Sequence, residues 1–371
     1  MNLMKRILIF GLGERGKKLI AHCLKYKCRD IIVAIIDNNI MQEFYCGIPV
    51  IYPENIINYV YDEIWVCTIY YPEIKKQLIE EYEISEQKIV YVEPVMPILE
   101  ERLHKHYEKA LNKKVEVSDE LKEVLNYISL HHAQMYCYPF YDEYLNKMDV
   151  PVFFDESCQL FYVYYDLKKM YFSKKIDSER KVRHYFNLIR MEQDSRSPHC
   201  YWNEKKMEDV TGVGIDVGTS EGIFALKIIE QIEHIYLIEI DEDWIEALQY
   251  TFEPFKEKVT IIQGFASDKD DEQCIKLDSL IGERKIDFIK MDIEGEEKNA
   301  LKGCSKILKN NNVELAICVY HNSEDNDQIG NFLIKQGYNI KNSKGYIVCQ
   351  GEWELENNIT DFRKGILFAN K

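Results

Sequence analysis

From residue 6 the chain alternates short apolar runs with stretches in which apolar residues recur every three or four positions. Residues 6–10 (RILIF), 31–36 (IIVAII), 64–68 and 88–92 read as strands, and 14–25 and 72–82 as amphipathic helices. Strands alternating with helices predict a parallel sheet covered on both faces, and Pro94 and Pro97 close this unit. From 99 to about 148 the pattern turns helical and highly charged, as suits a connector. QLFYVYYD (159–166) and KMYFSKK (169–175) flank a short turn and read as an aromatic β-hairpin, followed by a helix at 177–191. A second strand-and-helix alternation begins at 213. The expected organisation is α/β: a small Rossmann-like domain at 1–95, a helical connector at 96–150, and a second Rossmann-like domain at 151–371. Within the last, 151–205 is a hairpin-and-helix lead-in and 206–371 the core.

Two glycine-bearing turns stand where a strand hands over to a helix. Gly11-Leu-Gly13-Glu-Arg-Gly16 follows the first strand, and Asp37 ends the next one. In that setting the glycines let a pyrophosphate approach the backbone while the acid binds a ribose. This half resembles the small Rossmann-like domains attached to many sugar-modifying enzymes, and Gly11, Gly13, Gly16 and Asp37 are candidates for a nucleotide or nucleotide-sugar, with an architectural role as the alternative. The second turn, Gly218-Thr219-Ser220-Glu221-Gly222, follows the strand VGID at 213–216 and opens another apolar-periodic helix. Some 70 residues on, IDFIKMDIEGEEKNAL (286–301) is a strand that runs into Asp292, Glu294 and Glu297. Parallel α/β sheets bind ligands beyond the carboxyl ends of their strands, where both blocks place their polar residues.

Composition narrows the partners. With 47 basic and 63 acidic residues the formal net charge is −16, which repels phosphate backbones and disfavours DNA or RNA as substrate. The basic stretch 167–184 reads as a solvated face. Eleven cysteines without a C-x-x-C pair suit reduced thiols in a cytoplasmic protein. No apolar stretch reaches the roughly 18 residues of a membrane span. His131-His132 and His104-x-His106 lie in charged helical stretches and read as solvent-facing. A homo-oligomer is left open.

From about 151 to 371, the residues Asp216, Gly218, Gly222, Glu239, Asp292, Glu294, Gly295 and Glu297 resemble the FkbM family of S-adenosylmethionine-dependent methyltransferases. KLDSL (276–280), DFIKMDIEGEE (287–297), CVYHNSED (318–325) and the terminal RKGILFANK carry the same resemblance. It implies a class I methyltransferase fold, S-adenosylmethionine as cofactor, and O-methylation of a sugar or glycan precursor. The cofactor's amine and carboxylate suit the loop of Gly218, Ser220, Glu221 and Gly222 together with Asp216. Its ribose suits Glu239 at the end of the second strand, with Asp241 as the fallback or as a helix N-cap beside it. Adenine suits the segment after the third strand, at Phe265 and Ala266.

Methyl transfer needs alignment and removal of a proton from the acceptor. Asp292 is placed to be either a base or a ligand of Mg²⁺ or Mn²⁺. Glu294, a further catalytic candidate, and Glu297 flank the next helix's N-terminus, where both also read as plain first-turn acids. His321 follows an apolar strand, with Asp325 four residues on. The pair reads as base plus orienter, or as metal ligands with Asp292. His199, in SPHCYW, is a further candidate at the site's mouth. A nicotinamide-dependent nucleotide-sugar oxidoreductase using the first glycine turn, and a non-catalytic cofactor-binding scaffold, are the rival readings.

Overall fold

The structure is a computed structural model and describes residues 4–202, 210–349, 351–357 and 360–371. The expected 205/206 boundary lies outside the described residues. The chain divides into two compact units, one of residues 1–148 with 348–361, the other of 149–347 with 362–371. Residues 96–148, expected as a connector, thus belong to the body of the first unit.

In the first unit, β1 (Arg6–Phe10), β2 (Ile31–Ile36), β3 (Phe44–Tyr45), β4 (Ile48–Ile51), β5 (Glu63–Val66) and β6 (Ile89–Tyr91) form one sheet in the order 3-4-2-1-5-6. All neighbours are parallel except β3 and β4. The apolar runs are buried on both faces, with Ile7, Leu8, Ile9, Ile35, Ile36 and Ile64 at 0 % exposure, as a parallel sheet between helices requires. The β3–β4 hairpin was not expected. Its turn residues Cys46 and Gly47 both have positive φ (50° and 78°), the geometry of a two-residue hairpin turn. Helices Met96–His106 and Asp119–Leu130 bury Leu99, Leu103, Val124 and Ile128 in this unit.

The second unit opens with a three-stranded antiparallel sheet, β7 (Phe153–Asp155), β8 (Leu160–Tyr165) and β9 (Lys168–Tyr171). Its β8–β9 turn, Asp166-Leu167, again has both φ values positive. This is the expected hairpin with one added strand. It sits on helix Glu242–Phe252, where the Tyr171 N–H donates to Thr251 Oγ1 at 2.9 Å.

The main sheet comprises β10 (Val213–Val217), β11 (His234–Glu239), β12 (Val259–Gln263), β13 (Phe288–Met291), β14 (Glu314–Cys318), β15 (Asn339–Asn342) and β16 (Ile366–Asn370). Its order is 12-11-10-13-14-16-15, and only β16 runs antiparallel. The strand order reverses between β10 and β13, which makes their carboxyl ends the switch point of the sheet. Among the described residues, no helix is long and apolar enough to cross a membrane.

Candidate active site at the β10–β13 switch point

Register brings the two polar blocks face to face. Val217 pairs with Met291, so Gly218 and Asp292 leave the sheet side by side, and the Asp292 N–H donates to Val217 O at 3.0 Å. Gly218 has φ +73°, and a Cβ there would lie 1.8 Å from the Asp292 carbonyl oxygen. Only glycine permits both the left-handed backbone and the close approach. Ser220 (φ 51°) and Gly222 (φ 80°) continue the turn into helix Ile223–Ile228.

Glu239, at the end of β11, ties this loop to its neighbour. One carboxylate oxygen accepts from the Ser220 N–H (2.8 Å), the other from Ile240 (2.8 Å) and Asp241 (2.9 Å). Asp241 caps the following helix by accepting from the Asp243 N–H. Phe265 and Ala266 follow β12 as a two-residue strand, half-buried and buried respectively.

Asp216 does not reach the loop's surface. Its side chain is fully buried, 3.0 Å from Lys290 Nζ, a residue that sequence reasoning missed. Lys290 lies on β13 beside Asp216 and also donates to Gly218 O at 2.6 Å. Burial pushes the Asp216 carboxyl up, Lys290 pulls it down, and the outcome is about 6. Burial likewise raises Glu221 to about 7 and raises Glu192. Glu221 and Glu192 line a cavity of about 210 Å³ together with Gly218, Lys290 and Asp292. A larger, mostly apolar cavity of about 370 Å³ lies among Trp202, Phe224, Phe288 and Phe368, but neither Asp292 nor the glycine loop lines it.

Asp292 is held from two sides. The Tyr201 hydroxyl donates to Oδ2 at 2.7 Å, and His199 Nε2 lies 3.5 Å from the same oxygen. His321 Nε2 stands 3.4 Å from Oδ1. Burial raises this carboxyl, but His199, Lys290 and His321 outweigh it and hold Asp292 well below the usual carboxylate range. So stabilised an anion is a weak proton acceptor, which favours a positioning or ligating role over that of general base.

His321 is lowered by burial yet raised overall, to about 9, by Glu297, Asp292 and Glu294. At neutral pH, with nothing else in the site, it is a cation and cannot accept a proton.

The expected pairing of His321 with Asp325 is corrected. Asp325 Oδ2 accepts from the Asn322 N–H (2.8 Å) and side-chain amide (3.1 Å) and so closes its own loop. The partner of His321 is Glu297, whose Oε1 lies 3.1 Å from Nδ1. Glu297 is no solvated first-turn acid: it is 0 % exposed and accepts from the Ile293 N–H at 2.8 Å. Glu294, by contrast, is 93 % exposed at its side chain and stands on a left-handed φ of 56°.

In the first unit, Gly11 has φ +98°, and a Cβ on Gly16 would lie 2.0 Å from Gly11 O. A Cβ on Gly13 would meet nothing within 4 Å. Asp37 spends its carboxylate within the loop, accepting from the Leu12 N–H (2.7 Å) and the Asn39 N–H (2.8 Å). The expectation of a solvent-facing His132 is overturned. It sits between Glu63 (2.8 Å) and Glu100 (3.0 Å), because the strand end that carries Glu63 comes up beneath it. His131 and His106 are exposed as expected, while His104 is half-buried.

No curated protein matches the chain. Among solved structures it is similar to the methyltransferase FkbM of Methylobacillus flagellatus KT, at 16 % identity and a TM-score of 0.45 over 98 % of this chain and 89 % of that one. It is also similar to precorrin-6y C5,15-methyltransferase of Geobacter metallireducens GS-15, at 13 % identity and a TM-score of 0.34 over 54 % and 94 %. A third likeness is to SMU.1697c of Streptococcus mutans, solved in complex with SAH, at 14 % identity and a TM-score of 0.30 over 43 % and 88 %. Residues 3–90 match the family model described as C2185-like, N-terminal, a description that does not repeat the expected likeness to sugar-modifying enzymes. Residues 203–340, the span that holds the β10 loop, β13, Asp292 and His321, match the methyltransferase FkbM domain.

Proposed function

We propose that the second unit binds S-adenosylmethionine at the β10–β13 switch point and methylates a hydroxyl of a sugar or other polyhydroxylated acceptor. The observation that carries this reading is the apposition of Gly218 and Asp292, which leaves no room for a side chain and opens beside an acid-lined cavity. The residues fit the cofactor's chemistry. Glu221 and Glu192 suit a cationic ammonium and sulfonium, and Glu239, at the loop's edge, suits a ribose diol. When bound, the cofactor would supply an activated methyl group on a sulfonium sulfur, and the acceptor's hydroxyl proton would leave to solvent.

This chain's residues hold and align. Lys290 fixes the Gly218 carbonyl and keeps the loop against β13. Asp292, anchored by Tyr201, presents its free oxygen toward His321 and the cavity. Alignment of reacting atoms is where a rigid site gains most when the methyl donor is already activated. The sugar-like acceptor is suggested by the family resemblance.

The test is methyl transfer from labelled S-adenosylmethionine to a panel of sugars and nucleotide-sugars, by wild type and Asp292→Asn. Turnover by wild type, and loss of about a hundredfold or more in the variant, is the expected result. Full activity of Asp292→Asn removes it from the chemistry.

A further inference from the structure

The His321 side of Asp292 has the make-up of a cation site. One ligand atom each from Asp292, Glu297 and His321 lie within 4.8 Å of one another. The His321 side chain is 8 % exposed; its Nδ1 faces Glu297 Oε1 at 3.1 Å, while its Nε2 makes no hydrogen bond. A buried imidazole nitrogen without a hydrogen bond costs free energy unless something else satisfies it. Its Nε2 is aimed at two carboxylate oxygens, Asp292 Oδ1 at 3.4 Å and Glu294 Oε2 at 3.6 Å.

Those separations are long for hydrogen bonds and right for a shared ion. Two donors each about 2.1 Å from one metal stand roughly 3.0 Å apart at a right angle and about 3.4 Å apart at a tetrahedral one. We propose that a divalent cation of the Mn²⁺ or Mg²⁺ kind binds Asp292 Oδ1 and His321 Nε2, with the exposed Glu294 carboxylate turning in as a third ligand and Glu297 holding the Nδ1 side of the imidazole.

Each ligand is prepared by the chain. Tyr201 occupies Asp292 Oδ2, which leaves Oδ1 turned to His321. Glu294 sits on a left-handed backbone, and Gly295 behind it has φ +101°, where a Cβ would lie 2.8 Å from Asn322 Nδ2. Such a turn is costly for a non-glycine residue, and this one keeps the Glu294 carboxylate within reach of Nε2. Glu297 Oε2 is fully buried and without a hydrogen bond, so the orienting acid retains spare negative charge under the ring. The carboxylate–histidine–metal relay that results is a recurrent way of fixing an imidazole ligand. Two carboxylates suit hard ions and the imidazole adds a borderline donor, a mixture that Mn²⁺ accepts. The opposite face of Asp292, toward His199 and Cys318, is closed by the Tyr201 hydrogen bond and by full burial of Cys318.

The cation's role rests on the methyltransferase reading: beside the cavity, it would hold an acceptor's vicinal oxygens. Its existence does not, so the test uses the full chain without cofactor. Mn²⁺ is titrated and the free ion followed by electron paramagnetic resonance.

We expect one site, competed by Mg²⁺, weakened about tenfold or more in Glu294→Gln and in His321→Gln, and unchanged in Glu272→Gln. Glu294 is exposed, so its variant removes a ligand without disturbing the core. Spin-echo modulation from an imidazole nitrogen should accompany the bound Mn²⁺ and vanish in His321→Gln. No binding at about 1 mM Mn²⁺, or binding indifferent to both variants, overturns the cation site. A separate titration with S-adenosylhomocysteine keeps the two ideas apart. Cofactor binding without Mn²⁺ binding removes only the metal, and the reverse removes the methyltransferase reading while leaving the ion.

Discussion

Replacing Lys290 with methionine removes the cation paired with Asp216 and one tether of the glycine loop. The geometry sets the size of the effect. Asp216 is fully buried with Lys290 Nζ at 3.0 Å, and breaking a buried pair from one side costs about 3–5 kcal/mol. The bond from Lys290 to Gly218 O, at 2.6 Å, is charge-assisted and contributes about 1.5–3 kcal/mol, part of which the first figure already contains. Protonation of Asp216 relieves some of the loss, since its carboxyl already stands near 6 and would rise further without Lys290.

The sign follows from that raised value. The folded state takes up a proton more readily than the unfolded one, so the stabilising effect of protonation is complete below about 3.9 and is lost as pH climbs through the folded value. Lys290→Met should therefore be hurt more at pH 7.5 than at pH 5.

Native-state hydrogen exchange of the β10 amides reports the second unit by itself. Protection should fall by about two to four decades at pH 7.5. The double variant Lys290→Met/Asp216→Asn should be less damaged than the two single variants summed, by about 2 kcal/mol or more. Exchange unchanged in Lys290→Met, or strictly additive losses, would refute the reasoning.

Gly218→Ala should cost about 3 kcal/mol or more, from a left-handed alanine plus overlap with the Asp292 carbonyl, whereas Gly337→Ala, also at positive φ but with open space, should cost about 1–2 kcal/mol; urea unfolding measures both. His132 is lowered by burial but raised to about 10 by Glu100 and Glu63, so its stabilisation is full below about 6.5 and is lost as pH rises through about 10. His132→Gln should thus lose about 3–5 kcal/mol of protection in the β5 amides at pH 6, with the gap to wild type closing toward pH 10. Loss of the pH dependence in wild type would contradict the ion-pair account.

What the sequence made legible were features carried by local pattern. The runs at 7–10 and 31–36 are short and continuously apolar, the first ending at Gly11 and the second at Asp37-Asn38-Asn39, so buried strands were the only economical reading. The hairpin at 160–171 announced itself through alternating aromatics. The β3–β4 hairpin did not, because its turn is Cys-Gly and its strands are short.

Pairings between distant residues were out of reach. Lys290 looks like an interruption in an apolar strand until Asp216 appears beside it. Tyr201 meets Asp292 across 91 positions, and His132 meets Glu63 across 69. For His321, nearness along the chain suggested Asp325, while the sheet delivers Glu297 from another helix. Spacing can propose partners only within a turn or two; parallel strand order decides the rest.

The measurement that bears most directly on the central claim is calorimetric titration of the full chain with S-adenosylhomocysteine, in wild type and in Glu239→Ala, with melting curves to show that both are folded. One-to-one binding by wild type, weakened about tenfold or more in the folded variant, is the expected result. No binding by folded wild type, or equal affinity in Glu239→Ala, would contradict the placement of the cofactor beside β10 and β11.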